Sequence, residues 1–170
     1  MAQKAAEKKH PIKSIITLAA MASSGYDTLN RQLSNQSEFV SQSALPLLAR
    51  LAKGEDIPVE DVPPFLLNLF HPNLQGFLKS FLHIDPTAEL SKVRQPVLVI
   101  IGETDIQITV EETEKMVSDA KHALLVKIPE MNHVLKVAPI EYIANMATYS
   151  QPELPLHKDL MPTILKFLSK

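Results

Sequence analysis

Two short, nearly unbroken apolar runs dominate the second half of the chain, Pro96-Val97-Leu98-Val99-Ile100-Ile101 and Ala123-Leu124-Leu125-Val126-Lys127-Ile128. Their length and their content of β-branched residues predict short buried strands. Between them, Val110 to Asp119 alternates charged and apolar residues at helical spacing. An earlier run, Ile12 to Ala19, reads as another buried strand. The expected fold is therefore α/β, with about three parallel strands flanked by helices.

The pattern changes between about Ala22 and Ser91. Leu29, Leu33, Phe39 and Val40, then Leu45, Leu47, Leu48 and Leu51, recur at helical spacings, and Gly54 after Lys53 is a plausible helix stop. Pro58, Pro63, Pro64, Pro72 and Pro86 cut the remainder into short helices such as Phe65 to Phe70 and Leu74 to His83. A helical insertion at 23–91 thus separates 1–22 from 92–170, which together form the expected α/β core. Leucines at helical spacing are most simply core residues of that insertion.

Candidate chemistry lies just beyond the two apolar runs. Gly102-Glu103-Thr104-Asp105 follows one and Met131-Asn132-His133 follows the other. Parallel α/β sheets carry their ligands and reactive groups in the loops past the carboxyl ends of the strands. Asp105 and His133 form two thirds of a nucleophilic triad, in which the acid orients the imidazole and the imidazole moves the proton. Each also has a structural reading, Asp105 as a turn former or helix cap and His133 as a loop histidine bonded to backbone.

The third member is missing from the sequence pattern. A serine nucleophile of this architecture sits in G-x-S-x-G, where glycines permit a strained turn. The chain has only Gly25, Gly54, Gly76 and Gly102, and no two of them flank a serine at that spacing. The same glycines cannot build a Walker loop or a dinucleotide fingerprint, and without cysteine there is no thiol nucleophile and no Cys-ligated zinc. Ser118-Asp119-Ala120-Lys121 fits S-x-x-K but falls at the end of a surface helix, and Ser23-Ser24-Gly25 lacks the leading glycine. His10, His71, His83, His122 and His157 are scattered without metal-ligand spacing. No metal and no cofactor is expected.

With these residues in place, the chain resembles the C-terminal part of an α/β-hydrolase of the serine aminopeptidase or esterase type. That family's chain order is nucleophile, acid, histidine, and Asp105 followed by His133 fits it. Ala2 to Pro11 resembles the end of the helix that follows the nucleophile, and Ile12 to Ala19 the next strand. Tyr149 to Leu156 resembles the stretch before the family's last helix, which would be Leu160 to Leu168. The resemblance implies a partial α/β-hydrolase fold in which 23–91 is the cap over the active site. It also implies that the preceding strands, the oxyanion-hole loop and the serine lie outside this polypeptide, the serine about ten residues before Met1.

Composition narrows the partners. With 170 residues and 45% hydrophobic content, the chain can bury a core of its own. A net charge of −2 with both signs interspersed offers no basic stripe for nucleic acid. Lys4, Lys8, Lys9 and Lys13 before the apolar stretch Ile15 to Ala22 imitate a signal peptide, but Glu7, Ser14 and Thr17 interrupt the pattern, and a buried strand explains the stretch better. No run approaches the ~20 apolar residues of a membrane span, and a cytoplasmic location is the expectation.

Two functional readings remain open. In one, the chain is the acid-and-histidine part of a serine hydrolase whose nucleophile is supplied by another polypeptide or lost, acting on a small ester or peptide only if that nucleophile is supplied. In the other, it is a non-catalytic fragment that self-associates through Ile12 to Ala19, whose open edge would seek a partner. Both expect the isolated chain to be inactive.

Overall fold

The computed structural model describes residues 12–118 and 120–169. The expected helix end over Ala2 to Pro11 and residue Asp119 lie outside the described residues. Three parallel strands, β1 (Ile15–Leu18), β2 (Val97–Gly102) and β3 (Ala123–Ile128), form one sheet in the order β1-β2-β3. Eight α-helices accompany them among the described residues. The chain divides into two compact units, one of residues 1–22 and 86–170 and the other of residues 23–85.

In the sheet unit, β2 is fully buried along its length, as its continuous apolar run requires of a central parallel strand. Its side chains alternate between two cores. Val97, Val99 and Ile101 join Leu90, Val93, Ile108 and Met116 on one face. Leu98 and Ile100 join Ile128, Met131 and Leu160 on the other. Helices α5 (Pro86–Ser91) and α6 (Val110–Val117) cover the first face, and α8 (Leu160–Leu168) covers the second. The short helix α7 (Tyr142–Ala147) precedes α8.

Helix α6 starts on a reciprocal cap: Glu112 N donates to Thr109 Oγ1 at 3.1 Å, and Thr109 N donates to the Glu112 carboxylate at 3.2 Å. Its last helical residue is Val117, short of Asp119. The strand expected over Ile12 to Ala19 is also shorter, four residues long. It stops where Ala19 turns into the left-handed region at φ 45, a conformation that ends extended pairing although Ala19 N still donates to Ile100 O at 2.9 Å.

The helical unit comprises α1 (Gly25–Ser34), α2 (Glu38–Ala52), α3 (Leu67–Phe70) and α4 (Pro72–Leu82), with two 3₁₀ turns at Val59–Asp61 and Pro64–Leu66. Its core holds Leu33, Ala44, Leu48, Leu51, Phe70 and Leu82. Helix α2 runs through Pro46, although an interior proline costs about 3 kcal/mol. Burial of Ala44, Leu47, Leu48 and Leu51 on the same helix outweighs that cost, at roughly 1.5 to 3 kcal/mol per leucine. The helix ends at Lys53 and Gly54, where Gly54 takes φ +84, Gly54 N donates to Leu51 O, and Glu55 N donates to Arg50 O. The expected helix at Leu74 begins two residues earlier, because Pro72 occupies its first turn, where a missing N–H costs nothing. The segment expected as one helix over Phe65 to Phe70 is split between the second 3₁₀ turn and α3.

Candidate active site

Strands β2 and β3 are in register with Gly102 opposite Ile128, so they end level and their following loops emerge side by side. The β2 loop turns immediately. Asp105 N donates to Gly102 O at 3.2 Å, and the Asp105 Oδ1 atom accepts from Gln107 N at 2.8 Å and Ile108 N at 3.0 Å. Asp105 is therefore a turn former, as its structural reading proposed. Its other oxygen is free for a second task.

The β3 loop is a tight hook. Glu130 and Leu135 adopt φ 55 and 64, Met131 bridges Val137 in antiparallel fashion, and Asn132 N donates to Lys136 O at 3.0 Å. His133 projects from the bend of that hook. Its Nδ1 atom lies 3.0 Å from Asp105 Oδ2, with the Asp105 side chain fully buried and the His133 side chain 26% exposed. With the proton on Nδ1 and donated to the carboxylate, Nε2 is left with a lone pair. The arrangement can thus accept a proton from a neighbouring group at Nε2 while the carboxylate fixes the ring and balances its charge.

A buried polar network supports both loops, and the sequence did not reveal it. Asn132 and Asn145 are fully buried, and Thr148 nearly so. Asn132 Nδ2 donates to Asn145 Oδ1 at 3.2 Å and to Thr148 Oγ1 at 2.7 Å, while Asn132 Oδ1 accepts from Lys136 N. Asn145 Nδ2 donates to Thr104 O at 2.8 Å and Pro139 O at 2.7 Å. Lys136, itself buried, donates through Nζ to Gln151 O, and His157 N donates to Leu135 O at 2.7 Å. Beside the acid, burial pushes the Tyr149 phenol above its ordinary value; the Gln107 side chain opposes the rise, and the negative charge of Asp105 adds to it.

The remaining candidates are structural. Ser24 caps α1, its Oγ accepting from Asp27 N and donating to the Asp27 carboxylate. Ser118 follows α6 and donates to Lys115 O. His71 caps α4 by accepting from Asn73 N, His83 closes the same helix, and His157 accepts from Asp159 N. His122 immediately precedes β3, where its carbonyl accepts from Val97 N at 3.2 Å, and His10 lies outside the described residues. No helix among the described residues is long and apolar enough to cross a membrane.

No protein-family model matches the chain, and no curated protein matches it. Among solved structures it is similar to a hydrolase from Pseudomonas aeruginosa PA01, at 20% identity over 78% of this chain with a TM-score of 0.42. It is also similar to E-2-(acetamidomethylene)succinate hydrolase, at 14% identity over 88% of this chain with a TM-score of 0.45. The chain spans 53% of the first structure's length and 60% of the second's.

Proposed function

We propose that this chain carries the acid and histidine of a serine ester or amide hydrolase of α/β-hydrolase ancestry. The observation that carries the reading is the 3.0 Å contact between Asp105 Oδ2 and His133 Nδ1, made from loops that leave adjacent parallel strands at the same level. In this reading His133 is the general base and then the general acid, and Asp105 holds its tautomer. The nucleophile comes from outside these 170 residues, since none of the four glycines permits a G-x-S-x-G elbow. The substrate would be a small ester or peptide, the setting cytoplasmic. The helical unit, which has a core of its own, stands where that family's cap stands in chain order.

A fluorophosphonate probe tests this. The purified chain is expected to show no stoichiometric serine label and no ester hydrolysis above a His133→Ala control, because a triad imidazole without a hydroxyl loses several orders of magnitude in rate. In extract of its source, a labelled polypeptide should co-purify with the chain, and it should lose labelling with the His133→Ala chain. Stoichiometric labelling of a serine in the purified chain would overturn the proposal.

A self-associating role has one observation in its favour. Among the described residues β1 pairs only with β2, through Ile15 N to Pro96 O and Ala19 N to Ile100 O. The alternation of a parallel ladder turns the amides of Ile16 and Leu18 outward, and Leu18 is exposed. We propose a homo-oligomer that covers this edge. Light scattering at micromolar concentration should report at least a dimer, with the Ile16 and Leu18 amides gaining exchange protection as concentration rises. A monomer in which those amides exchange freely would exclude it.

A further inference from the structure

We infer that Asn145 is a positioning residue that holds the Asp105 and His133 loops in one geometry, an inference that rests on the reading of those two residues as an acid–base pair. Its side chain touches the residue before each of them. Nδ2 donates to the carbonyl of Thr104, which precedes Asp105, and Oδ1 accepts from the side chain of Asn132, which precedes His133. The second Nδ2 proton donates to Pro139 O, so the acceptor and both donors of the amide are engaged. The amide is fully buried, which strengthens each bond and makes a lost one costly.

The geometry explains why a single residue is suited to this. The acid and the histidine sit on separate loops, 28 residues apart in the chain, and among the described residues one side-chain contact joins them directly. A shift of about 1 Å in either loop would break that contact, since a hydrogen bond weakens steeply beyond about 3.2 Å. Asn145 fixes both loop backbones to one rigid amide. Thr148 reinforces it from the next turn, accepting from Asn132 Nδ2 and donating to Asn145 O at 2.7 Å.

The experiment follows the imidazole Nδ1 proton of His133 by NMR in the full chain, assigned by its absence in His133→Gln. In the unaltered chain this proton should give a low-field resonance protected from water exchange. If it does not, the pairing of Asp105 with His133 fails, and the inference with it. Asn145→Ala should lose the resonance while a folded amide spectrum remains. Thr148→Val, which removes both hydrogen bonds of the Thr148 hydroxyl and leaves Asn145 in place, should keep the resonance but raise its exchange rate about thirtyfold, the effect of two lost net hydrogen bonds. A purely structural role predicts lower thermal stability in both variants with the resonance and its exchange unchanged. A resonance that survives in Asn145→Ala, or an unchanged exchange rate in Thr148→Val where the first variant does not fold, overturns the inference while leaving the acid–base pair intact.

Discussion

Gly102 and Met131 approach so closely that a Cβ on Gly102 would lie 1.8 Å from the Met131 carbonyl oxygen. The end of β2 and the root of the histidine loop are therefore in backbone contact, and Thr104 N donates to the same carbonyl at 3.1 Å. Gly102→Ala should push the hook that carries His133 away from Asp105. The expected loss is about 3 kcal/mol or more, a fall in Tm of roughly 6 to 12 °C. Thermal unfolding checks the stability, and loss of the His133 Nδ1 proton resonance checks the displacement. An unchanged melting curve would show that the loop yields without cost.

Gln75 should be among the costliest polar residues to replace in the helical unit. It is buried at 2% exposure, and its side chain satisfies the N–H and C=O of Ile57 and the C=O of Phe70. Gln75→Leu would leave three backbone groups without partners, at about 1 to 3 kcal/mol each. A destabilisation of roughly 3 kcal/mol or more is expected by urea denaturation, with faster exchange of the Ile57 amide. A change within 0.5 kcal/mol, the range typical of surface substitutions, would contradict this account.

Acid should loosen α7 through its cap. The Glu141 carboxylate accepts from Ala144 N at 2.8 Å and Ile143 N at 3.0 Å, and these bonds hold it below the usual carboxylate range. A depressed carboxyl contributes stability that is present above its unfolded value and is lost as pH falls through its folded one. Helical chemical shifts across Tyr142–Ala147 should therefore decay with a midpoint below about pH 4.3, and Glu141→Ala should remove that titration. A midpoint at or above the ordinary value would refute it.

The Tyr149 phenol predicts the opposite limb. Its ionisation is displaced upward by burial, so its contribution is complete below about pH 10 and declines as pH rises from there toward the folded value. Tyr149→Phe should flatten the alkaline decline in Tm. A decline as steep in the variant as in the parent would assign it to other groups.

The sheet was legible because its strands are the simplest signal a chain can carry, an apolar run of about six residues between turn formers. Asp105 and His133 were legible for a related reason: a parallel sheet delivers whatever follows each strand to one edge, so position relative to Ile101 and Ile128 placed both. Asn145 and Thr148 were not. Each reads locally as a polar residue of a short helix, and their partners Thr104 and Asn132 lie 41 and 16 residues away, a pairing that no periodicity encodes. Pro72 and Pro86 misled in another way, since the ring that interrupts a helix interior is well suited to its first turn.

The turn built on Asp105 has a consequence for any amide placed there. Oδ1 is committed to two backbone N–H donors and only Oδ2 faces the ring. In Asp105→Asn the turn would act as a sorter, claiming the one oxygen of the amide and leaving its NH₂ to confront His133. An imidazole facing a donor must present a bare Nδ1, and its proton moves to the far nitrogen. The ring would keep its place and its neighbours, yet the atom that receives a proton in the role proposed for His133 would already hold one. Folding would thus dictate the chemical sense of the histidine, and a change of one atom in the acid would silence it without moving anything.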